Sequence, residues 1–333
     1  MTLLSELQSL LGESHVLTGA DAEPFALDWR RRYRGEALAV VRPGSTQQVA
    51  DAIKLCARHG VPVVPQGGNT GLCGGATPDG SGSAVVLSTA RLNRVRALDT
   101  DNDTITVEAG CILQAVQQAA ADAGRLFPLS LAAEGSCTIG GNLATNAGGV
   151  AVLAYGNARE LTTGVEVVLA DGRIVNALSK LRKDNTGYDL KDLFVGAEGT
   201  LGIITAAALK LFAKPRARET AFVGLADPAA ALALFRSARE HFGSGVVSFE
   251  LIPRIALDFV LRHANGARDP LGAAHPWYVL VEIASQVAGG LADAVAEWLA
   301  GAAEAGQIDD AALAASGEQR AAFWALRENI SDV

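Results

Sequence analysis

The sequence predicts an α+β protein with two domains. Its 333 residues suffice for about two domains of roughly 150 residues each. Short apolar strands alternate with amphipathic helices, and glycine-rich loops join several of the strands in the first two thirds of the chain. The 36 glycines occur without a low-complexity tract. They therefore indicate positions where the backbone needs a positive φ or closely approaches another group.

The composition excludes several classes of protein. Lys and Arg number 28 against 36 Asp and Glu, giving a formal charge of -8, which argues against nucleic acid as the main partner. No apolar run approaches the roughly 18 residues of a membrane helix. The start of the chain lacks the basic region of a secretory signal. The four cysteines are far apart, so neither a disulfide scaffold nor a zinc site is indicated. We expect a cytoplasmic protein.

The first elements are defined by their start and stop signals. Residues 1–36 form an N-terminal segment that begins with an amphipathic helix carrying Glu6. Ser45 and Gln48 make a capping box before a helix that ends at Gly60. A strand over 61–65, a glycine loop over 66–75 and a strand over 84–88 follow.

The remainder of the first domain continues this alternation. We predict a strand over 104–109, a helix over 112–123, and a hairpin over 164–176 with a type I′ turn at Asp171 and Gly172. A last strand over 203–212 is closed by Pro215. The domain therefore spans residues 37–214.

Residues 215–333 form the second domain. Strands over 220–225, 246–251 and 277–284 alternate with a helix from the Asp227 cap to Phe242 and a helix over 254–263. This β-α-β-α-β order favours a ferredoxin-like sheet. The final helix begins at Glu318 and reaches the end of the sequence without a residue that would terminate it. We therefore expect a truncated domain, with a frayed natural terminus as the alternative.

The glycine loop over 66–75, QGGNTGLCGG, has the composition of an anion-binding nest. Successive glycines let backbone N–H groups converge on an anion such as pyrophosphate. The loop is not a Walker motif, because no Gly-Lys-Ser/Thr is present, and it lacks the GxGxxG spacing of a Rossmann fingerprint. An ordinary long loop is the alternative for this segment alone.

Two further segments strengthen the prediction of a ligand site. Residues 128–149 alternate small polar side chains with glycine over some twenty positions, as on a surface that receives a large, flat, polar ligand. Residues 181–205 place Gly196, Gly199 and Gly202 before a strand. Three such loops in one domain are difficult to explain by turns alone.

Long motifs in these loops resemble those of a known family. VVPQGGNTGLCGG, SCTIGGNLATNAGG and GAEGTLGIIT are similar to the FAD-binding loops of flavoproteins of the vanillyl-alcohol-oxidase and p-cresol methylhydroxylase type. GVEVVLADG and LRKDNTGYDLKDLFVGAEGTLGIIT are most similar to the D-2-hydroxyglutarate and D-lactate dehydrogenase branch. The resemblance implies a two-subdomain FAD-binding domain followed by a partial ferredoxin-like α/β cap domain. It also implies oxidation of a D-2-hydroxy acid to a 2-oxo acid, with hydride passing to flavin N5.

The resemblance also implies which residues contact FAD. On the pyrophosphate it places Gly67, Gly68, Asn69, Thr70, Gly71 and Leu72, with Pro65 and Gln66 shaping the entry. Near the flavin ring and ribityl chain it places Ser136, Thr138, Gly141, Asn142, Thr145 and Gly148, and along the rest Gly199, Gly202 and Ile204. Family members that bind flavin covalently use His or Cys. We predict noncovalent FAD, with Cys137 as the residue to check.

The final helix offers a site for a substrate carboxylate. Arg320, Trp324, Arg327 and Ser331 fall on one helical face. In the resembling branch an LRE-type segment supplies a substrate-binding Arg, followed four residues later by a hydroxyl residue, which corresponds to Arg327 and Ser331. A guanidinium suits this role because it binds a carboxylate with two parallel hydrogen bonds. The alternative is a surface Arg paired with a nearby acid.

No catalytic base or metal site can be assigned. The five histidines are isolated, without metal-ligand spacing. The family carries a His-rich metal site in a segment beyond the LRE helix, and nothing in this chain matches it. A divalent metal is therefore expected only in the complete enzyme, and the chain alone should bind FAD but turn over poorly.

The implied partners are a small 2-hydroxy acid and an electron acceptor: a quinone, an electron-transfer flavoprotein or another acceptor. A homodimer and a peripheral association with a membrane are compatible with this interpretation. Two alternatives stay open, namely a glycolate-oxidase-type FAD subunit or an enzyme for another alcohol, and a non-catalytic FAD-binding subunit that needs a partner chain.

Overall fold

The computed structural model describes residues 2–331 and 333. The chain divides into two compact units. The first comprises the residues up to Gly148 together with Asn157–Phe212. The second comprises Gly149–Gly156 and the residues from Ala213 onward. The short segment over 149–156, which lies inside the predicted first domain, thus packs with the second unit.

The elements are numbered in chain order. The helices are α1 (Leu3–Leu11), α2 (Thr46–Arg58), α3 (Leu113–Asp122), α4 (Ile139–Ala144), α5 (Val152–Tyr155), α6 (Lys191–Phe194), α7 (Pro228–Phe242), α8 (Arg254–His263), α9 (Leu291–Glu304) and α10 (Gly317–Glu328). The strands are β1 (Val16–Leu17), β2 (Ala39–Val41), β3 (Val63–Gln66), β4 (Val85–Ser88), β5 (Val95–Asp99), β6 (Thr104–Glu108), β7 (Arg125–Leu126), β8 (Thr162–Val168), β9 (Ile174–Ala177), β10 (Ile203–Lys210), β11 (Phe212–Ala213), β12 (Ala217–Leu225), β13 (Val246–Pro253), β14 (Trp277–Ser285) and β15 (Asp310–Leu313).

The first sheet of unit one has the order β1-β2-β4-β3. Strands β2, β4 and β3 are parallel, and β1 runs antiparallel to β2. The apolar faces of α1 and α2 pack on this sheet. Ser45 caps α2 as predicted, because its Oγ accepts from Gln48 N at 3.2 Å. The reciprocal bond differs from a standard capping box, since Gln48 Oε1 accepts from Gly44 N at 2.7 Å.

The second sheet of unit one is antiparallel, with the order β5-β6-β10-β8-β9. The predicted hairpin over 164–176 is β8 and β9, but the predicted type I′ turn is wrong. That turn needs positive φ at both central residues, and of Asp171 and Gly172 only the glycine has one, at 78°. The loop instead spans five residues, closed by the bond from Leu169 N to Arg173 O at 2.9 Å.

A buried charge cluster fastens α2 to the second sheet. Glu166 Oε1 on β8 accepts from Thr46 Oγ1 at the start of α2 at 2.6 Å and lies 3.0 Å from Arg96 Nη2. Glu108 on β6, which is fully buried, pairs with Arg94 at 2.9 Å. Burial tends to raise the pKa of Glu166, but the hydrogen bonds and charge of Arg96 outweigh it and hold the pKa below its usual range.

Unit two has the predicted ferredoxin-like topology. Its antiparallel sheet has the order β13-β14-β12-β15. Helices α7 and α9 pack on one face, while α8 and α10 pack on the other. Helix α8 is an addition to the ferredoxin-like pattern, since it is inserted between β13 and β14. The predicted strands over 220–225, 246–251 and 277–284 correspond to β12, β13 and β14, and α8 has the predicted bounds.

The final helix is shorter than predicted. Helix α10 ends at Glu328, and a 3₁₀ turn over Asn329–Ser331 follows it. The last two residues of the predicted helix are Asp332, which lies outside the described residues, and Val333, which is not helical.

Candidate functional site

The three glycine loops meet on one surface of unit one. A Cβ added to Gly67 would lie 2.4 Å from Thr138 Oγ1, and one added to Gly68 would lie 2.1 Å from the carbonyl oxygen of Ser136. Both distances are too short for any side chain. The first loop therefore packs backbone to backbone on the second, and these glycines are needed for that approach.

The third loop closes the same surface. Gly196 N donates to Leu143 O and Glu198 N donates to Ala144 O, both at 2.9 Å, so the loop is attached to the end of α4. A Cβ on Gly199 would lie 2.5 Å from Pro65 Cγ. Segments more than 120 positions apart in the sequence therefore form one continuous surface.

Each loop contains one non-glycine residue with a left-handed backbone. Asn69 has φ 52°, Asn146 has φ 49° and Glu198 has φ 50°. Two of these side chains bond the loops to other parts of the chain. Asn69 Nδ2 donates to Leu27 O at 2.8 Å, and Asn146 Oδ1 accepts from Arg159 N at 2.9 Å. Such backbone conformations persist only where the surrounding structure determines them, so the loops are shaped before any ligand binds.

The surface offers uncharged donors to a ligand. Thr138 is 5% exposed, and its Oγ1 has no hydrogen-bond partner among the described residues. Gly71 faces open space. Residues 65–72 and 136–148 contain no charged side chain. Because a buried hydroxyl without a partner is costly, Thr138 Oγ1 fits a ligand that brings its own polar atoms, as a dinucleotide does.

Most of the other predicted contact residues divide into two groups. Some have internal roles: Gln66 is buried and donates to Phe25 O at 2.9 Å and to Ala76 O at 2.8 Å, while Gly202 and Ile204 pack against Val167 of β8. The second group lies on the loop surface and consists of Thr70, Leu72, Ser136, Gly141, Thr145 and Gly148. The sequence did not reveal that α4 forms within the second loop, because its glycines and small polar residues carry no helical periodicity.

Cys137 lies in the second loop but is 3% exposed. Burial raises the pKa of its thiol. A protonated and enclosed thiol is a weak nucleophile.

In unit two, the predicted polar face of α10 crosses the sheet. Arg320 Nη2 donates to the backbone of Arg218 on β12 at 2.6 Å, and Trp324 Nε1 donates to Glu282 Oε2 on β14 at 3.0 Å. Arg327 Nε donates to Glu250 Oε2 on β13 at 2.7 Å. Successive turns of the helix thus contact successive strands.

Two carboxylates, Glu282 and Glu250, contact this face of α10, and Glu282 has more hydrogen-bond and ion-pair partners than Glu250. Glu282 is 4% exposed and also accepts from Thr220 Oγ1 at 3.1 Å, with Arg218 Nη1 at 3.3 Å. Glu250, in contrast, bonds Arg327, and both side chains keep partial access to solvent. The arginine expected to bind a substrate carboxylate is therefore paired with a carboxylate of the chain. Ser331 lies in the turn after α10, where its Oγ donates to Glu328 O at 3.2 Å.

Two further findings concern the described residues alone. Among residues 2–331 and 333, no three His, Cys, Asp or Glu side chains are placed so that they could hold a metal ion. Within the same part of the chain, none of the helices combines the length and apolar character needed to cross a bilayer.

The convergent loops fit a dinucleotide, and comparison with known families identifies FAD domains. The FAD binding domain family matches residues 37–178, and the C-terminal domain of FAD linked oxidases matches residues 214–332. The chain therefore carries an FAD binding domain followed by a C-terminal domain of FAD linked oxidases. In fold it is similar to p-cresol methylhydroxylase, with a TM-score of 0.72 and 17% identity over 93% of this chain and 65% of that one.

Curated relatives are more similar in sequence. The mitochondrial D-2-hydroxyglutarate dehydrogenase of Bos taurus is 40% identical over 329 residues, which are 99% of this chain and 60% of that protein. A putative mitochondrial D-lactate dehydrogenase of Schizosaccharomyces pombe is 37% identical over 94% of this chain and 59% of that protein. The chain thus spans about 60% of the length of these relatives.

Four carboxylates, two on the sheet under α10 and two in the charge cluster of unit one, were missed from the sequence. Glu108, Glu166, Glu250 and Glu282 are each a single carboxylate within an apolar strand. That isolation is a usable signal, because a charge in a buried strand needs a partner.

Proposed function

We propose that this protein holds FAD noncovalently and oxidises a D-2-hydroxy acid to the corresponding 2-oxo acid. The observation that carries the proposal is the convergence of the three glycine loops beside the partnerless hydroxyl of Thr138. The similarity to D-2-hydroxyglutarate and D-lactate dehydrogenases supports the class of substrate.

The chain's own residues supply the cofactor contacts. Backbone N–H groups of residues 67–72 would hold the pyrophosphate, and Thr138 and Asn142 would donate to the flavin and ribityl portion. Asn69 contributes its left-handed backbone, since its side chain is already bonded to Leu27. A charge-assisted N–H bond contributes about 1.5–3 kcal/mol, so a few of them hold a dinucleotide without a cationic side chain.

Noncovalent attachment is supported by the state of the cysteine in the second loop. Because burial raises the pKa of the Cys137 thiol, little thiolate is present at neutral pH to attack the flavin. Acid precipitation should therefore release the cofactor.

Arg327 and Ser331 are proposed to bind the substrate. The guanidinium neutralises the substrate carboxylate, and the hydroxyl of Ser331 adds a hydrogen bond. Bound FAD supplies the hydride acceptor. The metal and the base remain unassigned.

We further propose that the domains span residues 37–214 and 215–333. For the complete protein we propose a cytoplasmic location, a homodimer, and a quinone or electron-transfer flavoprotein as electron acceptor.

The proposed activity can be tested by anaerobic reduction. D-2-hydroxyglutarate and D-lactate are mixed in turn with the FAD-loaded protein at its native length, and the visible flavin absorbance is followed. The D-acid should bleach the flavin, while its L-enantiomer should not. A flavin that dithionite bleaches but neither D-acid nor glycolate does would contradict the proposed activity.

A further inference from the structure

Glu250 holds the guanidinium of Arg327 by one edge. The contact runs from Arg327 Nε to Glu250 Oε2 at 2.7 Å. A guanidinium carries five N–H donors in a fixed fork. Within residues 2–331 and 333, this contact through Nε is the ion pair that Arg327 makes. The two terminal nitrogens, Nη1 and Nη2, are the end-on edge that binds a carboxylate with two parallel hydrogen bonds.

The placement of Glu250 is fixed by the sheet. It lies on β13, paired with Leu280 of β14, and its neighbours on the same face contribute to the apolar cluster under α8 and α10. Phe323 and Leu326 of α10 are buried in that cluster. Strand and helix are therefore both anchored, so the pair between them fixes the orientation of Arg327 rather than merely balancing its charge.

The neighbouring carboxylate has a different role. Glu282 is saturated by Trp324, Thr220 and Arg218 and is almost fully buried. It holds the middle of α10 through Trp324, whereas Arg327 is paired with Glu250. Glu250 is therefore the carboxylate that binds the guanidinium of Arg327.

We propose that Glu250 is a positioning residue, which fixes the side chain of Arg327 so that its Nη edge receives the carboxylate of the 2-hydroxy acid. This inference rests on the proposed function. It requires that Glu250 and the substrate bind different edges of one guanidinium at the same time. In the opposite arrangement, Glu250 would be a competitor that the substrate must displace.

The two arrangements predict opposite effects of removing Glu250. A positioning residue raises KM when it is lost, because Arg327 must then be ordered by the substrate. A competitor lowers KM when it is lost. The conservative change Glu250→Gln keeps an oxygen acceptor for Nε and should recover part of the loss caused by Glu250→Ala.

The experiment is a double-mutant cycle on the FAD-loaded protein at its native length. Glu250→Ala, Glu250→Gln, Arg327→Ala and the Glu250→Ala/Arg327→Ala double variant are compared by KM and kcat for D-2-hydroxyglutarate and by calorimetric Kd for 2-oxoglutarate. Glu297→Ala, at an exposed position on α9, is the matched control. Melting temperatures and flavin content record the integrity of each variant.

We expect Glu250→Ala to raise KM and Kd about fivefold to tenfold with kcat changed less than twofold, and to have no further effect once Arg327 is absent. A lower KM, or an equal effect of Glu250→Ala with and without Arg327, overturns the positioning role while leaving the proposed function intact. A wild-type protein that holds FAD but neither binds 2-oxoglutarate nor oxidises the acid overturns both.

Discussion

The two candidate surfaces are formed by different chemical groups. The flavin surface in unit one consists of backbone and uncharged side chains, and its glycines at 67 and 68 leave no room for a Cβ. The carboxylate surface in unit two consists of long charged side chains on α10 and the sheet, each bonded to another residue. Among the described residues, the flavin surface has a buried hydroxyl without a partner, at Thr138, whereas both carboxylates of the other surface are paired with arginines.

This difference decides how each surface responds to substitution. A surface formed by backbone groups loses its shape when a side chain is added, because a backbone carbonyl can move aside only at a large cost in free energy. A surface built from side chains fails when one is removed, and it fails gradually, since solvent and neighbouring groups compensate in part.

The largest expected effect is the addition of one methyl group to the first loop. Gly68→Ala places a Cβ 2.1 Å from Ser136 O, so the first and second loops must separate. FAD content of the purified protein, measured from its visible absorbance, should fall at least tenfold. Gly80→Ala is the control, because its Cβ would meet nothing within 4 Å. Full flavin content in Gly68→Ala would show that the close packing of these loops is not needed.

Removal of the charge on α10 should have the next largest effect. Arg327→Ala should raise KM for the 2-hydroxy acid about tenfold to a hundredfold, as expected for the loss of about 1.5–3 kcal/mol of charge-assisted bonding. Flavin content should stay intact, since Arg327 belongs to unit two and the glycine loops belong to unit one. Unchanged steady-state kinetics would remove Arg327 from the substrate site.

A smaller and more diagnostic effect is expected at Thr138. Thr138→Val removes the buried hydroxyl, which has no partner among the described residues, but keeps the shape of the side chain. The apoprotein should melt at the same or a higher temperature, while Kd for FAD should rise about twofold to tenfold, the range of one hydrogen bond. Thermal unfolding of the apoprotein measures the first trend, and calorimetric titration of the apoprotein with FAD measures the second. Destabilised apoprotein with unchanged FAD affinity would assign the hydroxyl a structural role.

The smallest expected effect concerns the charge cluster that joins α2 to the second sheet of unit one. The pKa of Glu166 is lowered despite its burial because Arg96 and two threonine hydroxyls bond it. Its contribution to stability is present above the unfolded pKa of about 4.3 and is lost as the pH falls through the folded pKa. Wild-type protein should therefore lose more stability than Glu166→Gln between roughly pH 7 and pH 3.5 in urea titrations. Equal losses, with Glu297→Gln as the reference, would contradict this.

The sequence predicts the backbone-built surface better than the other. Glycine has a direct structural meaning, so QGGNTGLCGG and SCTIGGNLATNAGG indicated the loops before their contacts were known. The helices α2 and α7, which have clear N-caps, were also predictable, as was α8. Short strands such as β2 and β5, and the late elements α9 and β15, carried too weak a pattern.

The pairing partners could not be predicted in the same way. Helical spacing placed Arg320, Trp324 and Arg327 on one face, but it could not name the strand that each would meet. That choice depends on the register and order of the sheet, which join β13 and α10 across 77 residues. The same limit applied to Asn69, whose bond to Leu27 spans 42 residues.

The most direct test of the central claim is the visible absorption spectrum of the purified protein, recorded before and after acid precipitation. If the glycine loops hold FAD noncovalently, the protein shows a flavin spectrum and the flavin appears in the supernatant. A colourless protein that takes up no added FAD would contradict the flavin surface. Flavin that remains in the pellet would contradict noncovalent attachment and direct attention to Cys137.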